Sequence, residues 1–190
     1  LCVSLWLNAC GLSAKENTTR SIALICKSDT SEFFRSVIAG ANAARSEYNV
    51  QLSIKAPETE EDYQAQNDFI REAVENGTEA IVFSAISYKD NAQAIDEAIS
   101  KGVKVVVIDS DVDSAGVSLR IGTDNVGAGR KVAQAILNME EETICVGIVN
   151  FDKVSQNGQE REMGLRQGLE EDPRVREIIT INVAADETEA

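Results

Sequence analysis

The feature that most constrains this chain is an alternation. Short apolar runs rich in Val and Ile alternate with longer segments whose apolar residues recur every three or four positions. Strands are expected over 21–26, 51–56, 80–83, 103–108, 117–121, 143–151 and 175–183. Helices are expected over 33–48, 60–76, 90–101, 126–139 and 159–170. The spacing is explicit in the first helix, where Phe34, Val37, Ile38, Ala41 and Ala44 share a face. Gly77 and Gly102 stand where helix C-termini need a residue at positive φ. Each strand–helix unit takes about 30 residues, the length of a right-handed βαβ crossover. The predicted class is therefore α/β, with doubly wound parallel sheets.

That topology says where function should sit. Open parallel sheets bind ligands in the crevice outside the carboxyl ends of their strands. Val103 to Ile108, apolar apart from Lys104, reads as a strand buried on both faces. It runs into Asp109-Ser110-Asp111, which places two carboxylates and a hydroxyl at such an end. A break at Gly122-Thr123-Asp124-Asn125 then separates residues 21–122 from the elements that follow.

Composition removes several function classes. The chain has 190 residues, a net charge of -14 and no histidine. A surface this acidic repels phosphate backbones, so no nucleic-acid partner is expected. Without histidine there is no His-based triad and no His-containing zinc site. No nucleophile–base pair is visible, so catalysis is not expected, nor is a cofactor or metal. Gly127-Ala128-Gly129 has Val132 where a dinucleotide fingerprint needs its third glycine, and is expected to serve helix packing. Cys26 and Cys145 are expected as buried thiols.

Residues 1–9, LCVSLWLNA, are uncharged and too short to span a bilayer. They read as the tail of a secretory signal. Leu7-Asn8-Ala9-Cys10 resembles the lipobox of bacterial lipoproteins, with Asn8 an unusual occupant. That resemblance implies a lipidated Cys10, a membrane anchor and an extracytoplasmic site, with 1–20 as signal and tether. An N-terminal buried strand is the competing expectation.

Three further pieces resemble the type I periplasmic sugar-binding proteins, the ribose-binding-protein-like family. They are the polar loop that leads to Phe33-Phe34, the run from Val105-Asp109 to Ile121-Gly122-Thr123-Asp124-Asn125 and Ala128-Gly129-Arg130, and Arg161-Glu162-Met163-Gly164-Leu165. The resemblance covers about residues 21–190. It implies two hinged lobes, 21–122 and 123–190, with the second incomplete because the chain stops before the family's later crossings. It implies a sugar or polyol as ligand and ABC permease subunits as partners. A sensory receptor module for chemotaxis or a sensor kinase, and less so a LacI-type effector domain, are the alternatives.

Carried onto this chain, the resemblance implies a ligand set of Asp29, Ser31, Phe33, Phe34, Asp109, Ser110 and Arg161. The aromatics would stack on a sugar ring, and Asp109 would accept from its hydroxyls. Arg161 would donate from lobe two, its alternative being an ion pair with Glu160 or Glu162. Ser110 stands where pentose binders have arginine. Asp29, Asp109 and Asp111 are expected to crowd one cleft edge and so favour a neutral ligand. Asn150, Phe151 and Asp152, at a lobe-two strand end, are expected near the cleft.

Overall fold

The computed structural model describes residues 19–183. Cys10 lies outside the described residues, as does 185–190, whose sequence reads as the opening of a further helix. Strand and helix alternate as β1 (Ser21–Ile25), α1 (Glu32–Tyr48), β2 (Gln51–Lys55), α2 (Tyr63–Glu75), β3 (Ala80–Phe83), α3 (Ala92–Ser100) and β4 (Lys104–Ile108). Then follow β5 (Leu119–Ile121), α4 (Asn125–Leu137), β6 (Ile144–Asn150), α5 (Gln156–Leu169) and β7 (Val175–Asn182). The first five strands form one parallel sheet in the order β2-β1-β3-β4-β5, and β6 and β7 form a second parallel pair.

The five-stranded sheet is covered on both faces, but unequally. Ala23, Ile25, Ile81, Phe83, Val105 and Val107 point to the side of α2 and α3, where Ile70, Ala73, Ile95 and Ala98 close the larger core. Leu24, Cys26, Val82 and Ile108 point the other way, toward Phe34, Val37, Ile38 and Ala41 of α1. One helix covers that face instead of two. So β4, expected to be buried on both sides, is fully buried at Val105 and Val107 and only half-buried at Val106 and Ile108.

Caps set the helix starts. The Ser31 hydroxyl accepts from Phe34 N at 3.2 Å and opens α1. The Asp62 carboxylate accepts from Ala65 N at 2.8 Å, so α2 begins at Tyr63 and not at 60. Helix α5 begins at Gln156, three residues before its expected start. Its first turn, Gln156-Asn157-Gly158, carries no apolar residue for periodicity to register. Strand β5 is shorter than 117–121 because Val117 packs onto the larger core.

The second unit is built on a helix pair whose backbones touch. A Cβ on Gly164 would overlap the Val126 carbonyl oxygen, and one on Gly129 would overlap the Arg161 carbonyl and lie 2.7 Å from Leu165 N. Gly168 faces the Ala133 methyl in the same seam. Gly127 has a different reason: its amide caps onto the Asp124 carboxylate at 2.9 Å, and a side chain there would strike that carboxylate. Helix packing thus accounts for Gly129 of the GxG, and the Asp124 cap for Gly127.

Strands β6 and β7 hang on α5 through a polar network. Glu162 accepts from Asn150 Nδ2 at 3.0 Å, Arg166 Nε at 2.8 Å and Thr180 Oγ1 at 2.6 Å. On the face opposite α5, Val149 is 76% and Ile181 61% exposed. Cys145 lies on that face and is exposed, which corrects the expected buried thiol. Alternation along the strand sends it away from the helix that does the covering. Among the described residues no helix is long and apolar enough to cross a membrane.

The two units meet at the carboxyl end of the larger sheet. Residues 122–124 carry the chain across. The loop after β3 touches the loop after β6, where Tyr88 N donates to Val154 O at 2.9 Å.

The close seam and the open helix surface give opposite predictions for one substitution. Gly164→Ala should cost about 1–3 kcal/mol, because backbone must move to admit the methyl. Gly40→Ala, in the middle of α1 with nothing within 4 Å of the added carbon, should gain about 0.5–1 kcal/mol. Urea denaturation of both variants checks the pair, and a neutral Gly164→Ala would contradict the close approach.

Candidate functional site

A cavity of roughly 720 Å3 lies between the carboxyl ends of the larger sheet and the α4–α5–β6 unit. From the larger sheet it is lined by Lys27, Ser31, Phe33, Phe34 and Asp109, with Glu60 at its side. From the second unit come Asn150, Phe151, Ser155, Asn157, Arg161 and Glu162, over an apolar wall of α4, α5 and β6.

Lys27 leaves the end of β1 and is only 4% exposed. Among the described residues it makes no ion pair. Its stem is buried while the residue lines the cavity, which leaves its ammonium to acceptors that enter there. Sequence reasoning passed over this residue as part of a polar loop. The signal available was its position, the first residue after a parallel strand's apolar run.

The turn after Lys27 is stiff. Ser28 Oγ accepts from Thr30 N at 3.1 Å and Ser31 N at 3.3 Å, and this delivers Ser31 to its cap position. The two phenylalanines divide their work. Phe34 is 3% exposed and packs with Leu24 and Cys26, whereas Phe33 is 56% exposed. Their rings meet edge to face, with centroids 5.0 Å apart and planes at 81°, so Phe34 props the ring that the cavity sees. Asp29 is exposed and does not line the cavity.

Asp109 sits at the end of β4 with φ 58, in the left-handed region. For a residue with a Cβ that conformation needs support from its surroundings. Its amide donates to Ile121 O at 3.0 Å, and its carboxylate accepts from Ser84 Oγ at 3.0 Å. Gly122 crosses beside it, where a Cβ would come within 3.3 Å of the Asp109 carbonyl oxygen. The turn thus aims the Asp109 side chain out of the sheet.

The neighbours of Asp109 point elsewhere. Ser110 is fully buried and does not line the cavity, and its hydroxyl has no hydrogen-bond partner among the described residues. Asp111 takes a forked contact from Arg120 Nε, 2.8 Å to each oxygen, and borders an adjoining recess of roughly 170 Å3 that Asp109 and Asn157 also line. Of the three carboxylates expected at the cleft edge, Asp109 lines the main cavity, Asp111 lies with it in the adjoining recess, and Asp29 lines neither. Left-handed backbone at Asp109 turns the chain back, and one ion pair takes up Asp111.

Arg161 lines the cavity from α5 and is exposed. Its Nε donates to Asn125 Oδ1 at 2.9 Å, which steadies it against the first turn of α4. The alternative ion pairs do not form. Glu160 bonds Gln156 and Asn125, and Glu162 belongs to the β6–β7 network. Asn157 and Ser155 were not singled out from the sequence. They line the cavity because α5 starts early, and the extra turn brings its N-terminus to the cleft.

Two titrations follow from this packing. Burial pushes the Cys26 thiol up to about 12, helped by the negative charges of Asp109 and Asp29. Burial also raises the Glu162 carboxyl, but hydrogen bonds from Thr180, Arg166 and Asn150 outweigh it and hold the group below its usual range.

Residues 22–190 match the model of the periplasmic binding protein domain. The chain belongs to this family. Its members are binding proteins, and the resemblance stated from the sequence is confirmed together with the α/β fold. Comparison with curated proteins gives no match. Among solved structures, a sugar transporter from Clostridium phytofermentans shares 32% identity, with a TM-score of 0.77 over 85% of this chain and 61% of that one. A carbohydrate transporter solute-binding protein from Agrobacterium radiobacter, in complex with D-arabinose, shares 25% identity and a TM-score of 0.79 over 86% and 58%. The periplasmic component of an ABC-type sugar transport system from Hahella chejuensis, at 21% identity, shares the fold with a TM-score of 0.81 over 87% and 61%. The chain thus spans about three-fifths of the length of these periplasmic binding proteins.

The two thiols should react differently. A value near 12 leaves roughly one Cys26 thiol in ten thousand ionised at pH 8. Iodoacetamide at pH 8, followed by peptide mass mapping, should label Cys145 in the native protein and Cys26 only after denaturation. Equal native rates would contradict the burial of Cys26.

Proposed function

We propose that this protein is an extracytoplasmic solute-binding protein that holds a sugar or polyol between two hinged lobes, 21–122 and 123–190, and presents it to an ABC permease. The observation that carries this reading is the presence of Lys27 and Asp109 in one cavity that also offers the exposed face of Phe33. A polyhydroxyl ligand answers all three. Its hydroxyls donate to the carboxylate and accept from the ammonium, and its C–H face lies on the ring. Asn157 and Arg161 supply donors from the other side. Cations and carboxylates both line the cavity, which suits a neutral ligand better than a phosphorylated one. Ser31 and Phe34 act in this reading as the cap and prop behind Phe33.

The binding proteins named above, with their sugar-transport descriptions and one bound D-arabinose, support the same ligand class. The lipobox-like run ending in Cys10 supports a lipid anchor, which tethers a protein to a membrane surface without a spanning helix. Closing the lobes over the ligand changes the surface that a permease reads.

A thermal-shift screen of neutral aldoses and polyols against sugar phosphates should find its best hit among the neutral compounds. With that hit, Lys27→Met and Asp109→Asn should each weaken binding about 10- to 100-fold, the value of a hydrogen bond to a charged group. Arg161→Lys should recover little of what Arg161→Ala loses, since lysine lacks the planar fork. A best hit among phosphates, or unchanged affinity in both lobe-one variants, would overturn the reading. Ligand-stimulated ATPase activity of the permease in liposomes tests the importer role. Ligand-dependent capture of a receptor without that stimulation would favour a sensory one.

A further inference from the structure

Gln66 is a polar residue in the middle of α2 and is wholly buried. Its side-chain amide spends its capacity on main chain. Nε2 donates to Cys26 O and to Ser84 O, both at 2.9 Å, and Oε1 accepts from Ile86 N at 3.0 Å. Cys26 is the residue before Lys27. Ser84 follows β3, and its hydroxyl holds the Asp109 carboxylate. Ala85 N, between the two groups that Gln66 holds in the β3 loop, donates to Ser110 O at 3.1 Å.

We propose that Gln66 is the positioning residue of the ligand site, which sets Lys27 and Asp109 at the separation a ligand must bridge. The inference rests on the reading of the cleft given above. The two side chains leave β1 and β4, and β3 lies between those strands. Neighbouring strands stand about 4.8 Å apart, so the gap is roughly 10 Å and two strand widths must be held at once. Main-chain bonds from Ser84 N to Ile25 O and from Ala85 N to Ser110 O carry the ladder one step past β3, and the Gln66 tie to Cys26 O extends it to the residue beside Lys27. Gln66 reaches across from outside the sheet and ties the β1 end to the β3 end, and Ser84 passes the constraint to Asp109. No apolar residue in the same space can do so, and the carbonyls of Cys26 and Ser84 would lose their side-chain partner.

The test is a double-mutant cycle in the full chain, read by calorimetry with the best neutral sugar of the screen. Gln66→Met keeps the volume and removes all three bonds. It should weaken binding about 10- to 100-fold in the wild-type background, and only a few-fold when Lys27→Met is already present. A merely structural role gives the same factor in both backgrounds, and that result would overturn the proposal. A second readout needs no ligand. In 13C-lysine spectra of folded Gln66→Met, the Lys27 Cε signal should move while that of Lys55, which ends β2 and pairs with Glu72 of α2, stays. If the Lys27 signal is unmoved, the proposal fails even where the sugar reading stands. If no sugar binds but the Lys27 signal moves, the sugar reading fails and the positioning role survives. Should Gln66→Met not fold, Ser84→Ala cuts only the last link. It should weaken binding in the wild-type background and not beside Asp109→Asn, and equal losses in both would overturn the proposal.

Discussion

The site depends on how backbone groups are satisfied beyond the end of a parallel ladder. Five consecutive amides after β3 each find a partner. Ser84 N donates to Ile25 O, Ala85 N to Ser110 O, Ile86 N to Gln66, Ser87 N to Asn91 and Tyr88 N to Val154 O. Buried main chain must be paired, and here the pairing also makes a rigid floor. The first four bonds stay within the larger unit and the fifth reaches the other. The loop that seats Asp109 is therefore continuous with the contact between the two halves.

Rigidity and accommodation are distributed accordingly. The larger sheet is buried under α2 and α3, and its cavity-facing groups are held by bonds within the unit. Asp109 keeps a left-handed backbone because Ile121 and Ser84 hold it. The second unit is held by close contact along the seam of Gly129, Gly164 and Gly168. A pair of helices packed backbone to backbone moves as one body, so Asn157 and Arg161 would approach or leave the cleft together. That suits hinged closure, in which interfaces repack while each half keeps its core.

Much of this was legible in the residues. The period of apolar positions identified every strand and helix, since burial on a sheet face or helix stripe leaves a pattern of two or 3.6 in the sequence. The Asp109 turn and the paired phenylalanines were visible as strand-end chemistry. Other features left no such trace. Gln66 looks like a solvent-facing residue of α2, and the early start of α5 falls in three residues without an apolar side chain.

The sequence by itself determined the α/β class, the order of elements, a break near 122–125 and the sheet end at which the cavity lies. These follow from local periodicity and from the handedness of crossovers, which hold wherever the chain lies in space. Only the tertiary structure decided which polar side chains share the cavity. Asp29, Ser110 and Asp111 follow the same two strand ends as Lys27 and Asp109, yet solvent, the core and Arg120 take them. A side chain's direction at a strand end is set by one backbone torsion and by partners far along the chain, and neither is written in the spacing of apolar residues.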